Sequence, residues 1–187
     1  GTAARGAAAG GGVVGVGPTQ GTGGAVRAGA EAARGEVVVL LDADGQDDPA
    51  EIPLLLAALR PGVDLVIGSR FLGTFEAGAI KKVDRAGNVA LTRLFNAALG
   101  AAITDTQAGF RAIRRATLVG LRLRARRYDV ETEMLAEVLA RGGRAVEVPV
   151  TRRARAHGRT DLSRVRDGLR ILRTIARVRL GLGRAQG

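Results

Sequence analysis

Residues 36–51 read EVVVLLDADGQDDPAE, an apolar run followed by an acidic turn. The unbroken apolar run after Glu36 is expected for a strand that is covered on both faces in a largely parallel sheet. Beyond the acidic turn, Asp48 to Glu51 combine an N-cap aspartate, a proline at the first helical position and a capping-box glutamate. The stretch therefore predicts a strand, a charged turn and a helix, which is half of a βαβ unit.

Strand and helix patterns alternate along the rest of the chain. Apolar runs predict strands at 13–16, 37–41, 63–67 and 145–150, and helical spacing predicts helices at 25–34, 48–60, 88–99 and 128–140. Residues 68–87 lack either pattern and are predicted to form a loop. The whole is an α/β protein with a mostly parallel sheet flanked by helices.

An amphipathic helix is predicted from residue 162 onwards. Val165, Leu169, Leu172 and Ile175 recur at helical spacing, with arginines on the remaining faces. Two interpretations stay open at this point. The apolar stripe either packs on the domain and leaves a solvated basic face, or it lies on a membrane surface.

Composition limits the classes of protein that remain. The 187 residues suit one domain, and the absence of cysteine excludes disulfides and thiolate metal sites, so a metal would be held by oxygen. No apolar run is long enough to span a bilayer, and no signal-peptide pattern is present. Residues 1–110 carry a net charge of −2 and residues 111–187 of +13. The second part should attract polyanions, namely nucleic acid, an anionic membrane or a phosphorylated substrate.

The acidic turn after residue 41 is predicted to be a metal site. Ligands bind beyond the carboxyl ends of strands in open α/β sheets, and this is where Asp42 and Asp44 would lie. Together with the amide oxygen of Gln46 they form a hard oxygen donor set, which favours Mg²⁺ or Mn²⁺ and leaves positions for phosphate oxygens. Asp48 is predicted to cap the next helix, and the role of Asp47 is left open.

A dinucleotide-binding alternative competes with the metal site. Residues 17–23 have the G-x3-G-x-G spacing of a short-chain dehydrogenase loop, and Asp42 ends the following strand, where a ribose-binding acid would lie. That family requires a lysine four residues after a catalytic tyrosine. The single tyrosine, Tyr128, is followed at that spacing by Thr132, and a ribose-binding acid leaves Asp44 unexplained.

Several segments resemble the family-2 glycosyltransferases that load sugars onto polyprenyl phosphates, the dolichol-phosphate mannosyltransferase and glucosyltransferase group. The resemblance spans nearly the whole chain and depends on the order and spacing of these segments: 21–26, 42–46, 68–71, Arg85 with 87–88, 105–111, 131–133, 147–149 and 155–158. It implies a GT-A (Rossmann-like) fold and inverting transfer from a nucleotide-sugar. The donor would be GDP-mannose, UDP-glucose or UDP-GlcNAc, and the acceptor a polyprenyl or dolichyl phosphate.

The resemblance also implies roles for individual residues. Asp44 and Gln46 match metal-contacting positions, and Asp42 matches the donor side of the same motif. Basic residues that hold donor or acceptor phosphates are matched by Arg70, Arg85 and Arg155. Asp105 is the candidate for orienting the acceptor, with a structural role in its turn as the alternative. Asp42, Asp44 and Asp105 are thus the predicted catalytic residues, and Mg²⁺ or Mn²⁺ is the predicted cofactor.

Partners and boundaries follow from the same resemblance. We expect a nucleotide-sugar donor, a polyprenyl-phosphate acceptor and an anionic membrane surface, with no nucleic acid, for a protein bound peripherally to the cytoplasmic membrane face. Gly1-Thr2 looks like the end of a motif whose strand would lie upstream, so residues 1–160 are predicted to form a GT-A domain incomplete at its N-terminus. Residues 161–187 would form a basic amphipathic helix and tail. A basic nucleic-acid-binding or scaffolding module, or an inactive glycosyltransferase fragment, remain the alternatives.

Overall fold

The computed structural model describes residues 21–155 and 164–181. The predicted strand at 13–16, the first part of the glycine-rich loop and the boundary between the two predicted segments lie outside these residues. In chain order the elements are α1 (Gly21–Ala32), β1 (Val37–Leu40), a 3-10 turn (Pro49–Glu51), α2 (Ile52–Ala58), β2 (Leu65–Phe75), α3 (Lys82–Leu99), β3 (Arg111–Arg114), α4 (Arg115–Gly120), α5 (Val130–Ala140), β4 (Ala145–Arg152) and α6 (Arg164–Arg179).

One four-stranded sheet, in the order β1-β3-β2-β4, organises the described residues. β3 runs antiparallel to both of its neighbours, whereas β2 and β4 are parallel. The α/β class with helices flanking one sheet is confirmed. The prediction of a mostly parallel sheet is correct for β1, β2 and β4, which run in the same direction. It needs one correction, because β3 runs antiparallel to them. Its sequence, Arg111-Ala112-Ile113-Arg114, has an arginine at each end and lacks the apolar run of a central strand.

Among the described residues, Arg111 has the largest fully buried side chain, and it lies in this central strand. Its guanidinium donates hydrogen bonds to the carbonyl oxygens of Ala108 at 2.7 Å, Glu131 at 2.6 Å and Thr106 at 2.9 Å. Burial lowers the pKa of Arg111 to about 10, and the nearby Glu131 carboxylate opposes this shift. These hydrogen bonds satisfy a charge that would otherwise be costly to bury, and they tie β3 to the preceding loop and to the start of α5.

The core lies on both faces of the sheet. Leu65 and Ile67 of β2 face a large apolar cluster that includes Phe95, Met134 and residues of α6. Val66, between them, faces a smaller cluster under α2. This alternation is the period of two expected for a strand covered on both sides.

The C-terminal helix packs against α3 and α5. Ile171, Ile175 and Val178 are buried in the main core, whereas Val165 is 73% and Leu169 48% exposed. The C-terminal part of α6 is therefore anchored in the domain while its first turns present apolar side chains to the outside. Among the described residues, none of the helices combines the length and the apolar character that a membrane span requires.

Two predicted boundaries are corrected by the structure. β2 continues to Phe75, beyond the predicted end at residue 67, because it keeps pairing with β4 after an irregularity between Ser69 and Thr74. α3 begins at Lys82, six residues before its predicted start at residue 88. Most of the predicted loop at 68–87 is therefore regular structure. The part of β2 in this segment forms because it pairs with the distant β4, and its own sequence has no strand pattern.

The glycines at the start of α1 allow a close approach to another backbone segment. A Cβ on Gly23 would lie 1.9 Å from the carbonyl oxygen of Ala125, and one on Gly21 would lie 2.1 Å from that of Arg126. The Gly23 N–H donates a hydrogen bond to the Arg126 carbonyl oxygen at 3.3 Å. Part of the glycine spacing that suggested a dinucleotide loop is thus explained by packing.

This contact predicts opposite effects for two glycines of one helix. Gly23→Ala should lower the free energy of unfolding by about 2–3 kcal/mol, because the new methyl group meets backbone that must move. Gly29→Ala is the matched control, since a Cβ there meets nothing within 4 Å, and it should stabilise by roughly 0.5–1 kcal/mol. Thermal unfolding of both variants checks the pair, and equal destabilisation would contradict the packing role.

Candidate active site

The carboxyl ends of β1, β2 and β4 meet at a cleft of about 350 Å³. The amino end of the antiparallel β3, with the loop before it, lies at the same edge. Charged side chains of both signs line the cleft: Asp42, Asp84, Glu131, Arg70, Lys81, Arg152 and Arg155. A smaller apolar cavity of about 230 Å³ shares Thr22, Asp42, Gly109 and Glu131 with it.

Asp42 lies just after β1, and its side chain is 49% exposed in the cleft. A Cβ on Gly109 would lie 3.2 Å from its Oδ2, so the loop before β3 approaches this carboxylate closely. Desolvation at the base of the cleft raises the pKa of Asp42, the Asp47 carboxylate raises it further, and Arg152 opposes the shift. Repulsion between acidic groups is the condition under which a bound cation is favoured.

Asp44 is held by two contacts in the same turn. Its Oδ1 accepts a hydrogen bond from the backbone N–H of Gln46 at 3.0 Å. Its Oδ2 pairs with Nη1 of Arg155 at 2.7 Å. The Asp44 carboxylate is one of the groups that raise the pKa of Asp42, so the two carboxylates are neighbours, and their convergence on one metal stays a prediction.

Gln46 has other partners than a metal. Its Nε2 donates to the carbonyl oxygens of Ala79 at 3.3 Å and Arg153 at 3.1 Å, and its Oε1 accepts from Nη2 of Arg152 at 3.1 Å. Both ends of this buried amide are therefore engaged in fixing the acidic turn to the end of β4. A metal-ligand role for Gln46 stays a prediction that this geometry does not favour.

The two remaining acids of the turn have structural partners. Asp47 is buried and forms an ion pair with Nη1 of Arg152. Asp48 accepts a hydrogen bond from the Ala50 N–H at 3.1 Å as the N-cap of the 3-10 turn, so its predicted capping role is confirmed. Arg152 also lies 3.7 Å from Oδ2 of Asp42 and thus balances charge across the acidic turn.

Asp42 and Asp44 suit a divalent cation as a donor pair. Within residues 21–155 and 164–181, no group of three or more His, Asp or Glu side chains forms a complete cage. Mg²⁺ is commonly bound by one or two carboxylates plus substrate phosphates, and a complete protein cage is not required. Asp42 and Asp44 would meet this condition if the Arg155 guanidinium, which pairs with Asp44 here, moved off that carboxylate.

Asp105 holds Arg70 at the wall of the cleft. Its oxygens accept hydrogen bonds from Nε of Arg70 at 2.7 Å and Nη2 at 2.8 Å, and a third from the Arg70 N–H at 3.1 Å. The Asp105 side chain is 0% exposed, whereas that of Arg70 is 12% exposed and lines the cleft. The carboxylate therefore positions the guanidinium. Its predicted role as an acceptor-orienting residue would act through Arg70.

Glu147 on β4 fixes the loop that carries Asp105. Its carboxylate accepts hydrogen bonds from the Thr104 N–H at 2.8 Å, the Thr104 hydroxyl at 2.9 Å and the Asp105 N–H at 2.9 Å. Glu147 belongs to the motif 147–149, which the sequence analysis had noted without a structural role. Its role in holding the loop at 104–105 depends on contacts across more than forty residues of chain.

Arg85 and Arg155 occupy different surroundings, although both are predicted phosphate-binding residues. The guanidinium of Arg85 lies over the rings of Phe71 and Phe75, 5.8 and 5.4 Å from their centroids, on the exposed face of α3. Arg155 lines the cleft beside Asp44. The structure thus brings Arg70 and Arg155 to one cavity and holds Arg85 by cation–π contacts near its rim.

Glu131 is a cleft residue to which sequence analysis gave no chemical role. Burial raises the pKa of this carboxyl to about 7, and Arg111 opposes the shift. It lines both cavities at the first turn of α5. Its inclusion in the motif 131–133 was the sequence signal for its place in the cleft.

The raised pKa of Glu131 predicts a pH-dependent stability. In the folded protein the neutral form is favoured, so stability is fully present below the ordinary value of 4.5 and is lost as pH rises through about 7. Glu131→Gln should therefore stabilise the protein by on the order of 2 kcal/mol at about pH 8 and have little effect near pH 4. Melting temperatures across this range check the result, with Glu36→Gln as an exposed control. A pH-independent difference would contradict it.

Comparison with known proteins shows the family to which the chain belongs. Residues 16–120 match glycosyl transferase family 2, and the chain belongs to this family of glycosyltransferases. The chain is 35% identical over 159 residues to a dolichyl-phosphate hexose transferase from Haloferax volcanii, covering 85% of this chain and 68% of the relative. It is 33% identical over 148 residues to a dolichol-phosphate mannosyltransferase from Pyrococcus furiosus, covering 74% of this chain but only 39% of that protein. The predicted resemblance is confirmed, and the family decides against the dehydrogenase alternative.

A solved structure supports the fold. Glucosyl-3-phosphoglycerate synthase from Mycobacterium tuberculosis, in complex with Mn²⁺, uridine diphosphate and glucosyl-3-phosphoglycerate, superposes with a TM-score of 0.68 at 25% identity. The match covers 95% of this chain and 64% of that chain. The GT-A-type architecture predicted from the sequence is thus confirmed, and this chain corresponds to about two thirds of that enzyme.

Proposed function

We propose that this chain catalyses metal-dependent, inverting transfer of a sugar from a nucleotide-sugar to a polyprenyl phosphate. One observation carries the proposal: the Asp42 carboxylate lines a cleft with Arg70, Arg152 and Arg155, and the nearby Asp44 carboxylate pairs with Arg155 at its edge. The carboxylates suit a divalent cation, and the arginines suit phosphate oxygens. Such a mixed site fits a reaction in which a diphosphate leaves and a phosphate attacks.

Asp42 and Asp44 would hold Mg²⁺ or Mn²⁺ at the carboxyl end of β1. A bound divalent cation stabilises the negative charge that develops on a departing nucleoside diphosphate. Arg70, fixed in place by Asp105, would present its free edge to a phosphate without needing to be ordered during the reaction. Arg155, released from Asp44, would contribute a second guanidinium.

The acceptor requires little acid–base chemistry. A phosphate oxygen of the lipid would attack the anomeric carbon from the side opposite the diphosphate, forming one carbon–oxygen bond as the other breaks and inverting the configuration. Because a phosphate is already an anion near neutral pH, no proton has to be removed from it. The site then acts mainly by positioning and by charge neutralisation.

The named relatives support the lipid acceptor, and the solved neighbour supports a uridine nucleotide in the donor. UDP-glucose and UDP-GlcNAc are therefore the first donors to test, with GDP-mannose next. The basic residues 111–187 and the exposed Val165 and Leu169 of α6 favour peripheral attachment to an anionic membrane surface on its cytoplasmic face. The membrane would bring the enzyme to its acceptor.

Transfer assays with purified protein test the proposal. Labelled UDP-glucose, UDP-GlcNAc or GDP-mannose is incubated with a short polyprenyl phosphate or with 3-phosphoglycerate, in Mg²⁺, in Mn²⁺ or in chelator. We expect label in the lipid fraction only with metal. Label on phosphoglycerate alone would overturn the lipid acceptor. No transfer to either acceptor, together with salt-sensitive binding of nucleic acid, would instead favour the basic binding-module alternative.

A further inference from the structure

A second basic cavity lies outside the cleft. It has a volume of about 380 Å³ and is lined by Gly21, Arg124, Ala125, Arg126, Arg127, Asp129, Arg170 and Arg177. The arginines come from two parts of the chain, the segment 124–127 and helix α6. None of these arginines lines the cleft that contains Asp42. We call this space the arginine cavity.

Carboxylates neutralise only part of the charge in the arginine cavity. Asp167 serves two guanidinium groups, that of Arg170 at 2.7 Å and that of Arg127 at 3.5 Å. Arg177 pairs with Glu133, whose other oxygen accepts hydrogen bonds from the N–H groups of residues 124 and 125 at 2.8 and 2.7 Å. These two carboxylates thus account for three of the guanidinium groups around the cavity.

Arg124 and Arg126 carry positive charge in excess of the carboxylates. The third acid at the cavity is Asp129, so five guanidinium groups face three carboxylates and two positive charges are left over. Both arginine side chains are exposed, and the structure gives neither of them an ion pair with a carboxylate of residues 21–155 or 164–181. Their backbone is held firmly, because the first glycines of α1 pack on the carbonyl groups of residues 125 and 126. The two guanidinium groups are therefore carried by an ordered segment beside three further arginines.

We propose that the arginine cavity binds a phosphate group, distinct from the phosphates handled in the cleft. A cavity lined by five arginines suits a tetrahedral oxyanion, because each planar guanidinium can donate paired hydrogen bonds to its oxygens. The surplus positive charge attracts anions before contact. The group comes either from an anionic lipid or from a soluble phosphorylated molecule, and the chemistry of recognition is the same. This proposal does not rest on the proposed sugar transfer.

Binding of two simple probes tests the arginine cavity. Inorganic pyrophosphate is titrated calorimetrically in chelator, and vesicles of phosphatidylcholine, with or without phosphatidic acid, are tested by co-sedimentation. Arg124→Ala/Arg126→Ala should weaken binding by about tenfold or more, because two charge-assisted contacts are lost. The control is Arg93→Ala/Arg173→Ala, which removes two exposed arginines outside the cavity. Pyrophosphate should also raise the melting temperature of the wild type and the control by more than that of the cavity variant.

The two probes distinguish the source of the phosphate. If only pyrophosphate binds, the ligand is a soluble phosphorylated molecule, and if only phosphatidic acid vesicles bind, it is a lipid headgroup. Either assignment requires that the cavity variant loses binding of that probe. The proposal is overturned if the wild type binds neither probe. It is equally overturned if the cavity variant and the control bind alike. Activity in sugar transfer does not enter either outcome, so failure here leaves the proposed function untouched.

Discussion

Replacing Asp44 by alanine is expected to lower sugar transfer by about a thousandfold or more, a loss typical of removing a key electrostatic contact to the leaving group. In the proposed site Asp44 and Asp42 hold the divalent cation at the end of β1, and one carboxylate cannot hold it as firmly as two. Raising the Mn²⁺ concentration should restore part of the activity, because the defect lies in metal affinity. Initial rates over a range of metal concentrations check this result.

Asp48→Ala is the matched control within the same turn. It removes an acidic side chain six residues after Asp42, but this side chain caps a 3-10 turn and pairs with Arg153. We expect a loss of about 1 kcal/mol in stability with transfer retained. If Asp44→Ala were as active as Asp48→Ala at low metal concentration, the assignment of the metal site would be wrong.

Replacing Asp105 by asparagine is expected to have the second largest effect. The substitution leaves the nearly buried Arg70 guanidinium without its charged partner, and breaking such a pair typically costs about 3–5 kcal/mol. Transfer should fall as well, with a larger rise in KM than fall in kcat, because Arg70 would no longer be fixed at the cleft wall. Denaturant unfolding and steady-state kinetics give the two readouts.

The double variant Arg70→Met/Asp105→Leu separates folding from function. Removing both charges avoids an unpaired group and should recover much of the lost stability, while transfer stays low. An Asp105→Asn protein that unfolds like the wild type would show that the pair contributes little. A double variant with normal kinetics would show that Arg70 does not contact substrate.

The sequence was informative where function depends on a local pattern. The run 37–41 and the turn after it predicted both a strand and the position of Asp42 and Asp44 at its end, because hydrophobic periodicity and strand direction are local properties. The cap made by Asp48 followed from a local pattern, whereas Glu51, predicted to complete a capping box, accepts hydrogen bonds from the Thr151 N–H instead. The family resemblance added Arg70 and Asp105, whose contact across 35 residues no local pattern indicates.

What the sequence did not reveal depends on contacts between distant segments. Arg152 lies at the end of β4 and reaches Asp47 and Gln46 across more than a hundred residues of chain. Those contacts occupy the Gln46 amide oxygen, whose metal role stays a prediction. β3 was missed because strand propensity is judged from apolar runs, whereas this strand is held by its neighbours and by a buried arginine.

Arg111 has a consequence for how the domain opens. Its guanidinium is satisfied only while the loop 106–108 and the first turn of α5 are both in place around β3. If β3, the loop or the first turn of α5 detached, the Arg111 charge would lose hydrogen-bond partners in an apolar interior. The free energy of opening any one of these segments by itself is therefore high. Hydrogen exchange of the backbone amides in these segments should thus report the same free energy of opening, as expected for a single cooperative unit.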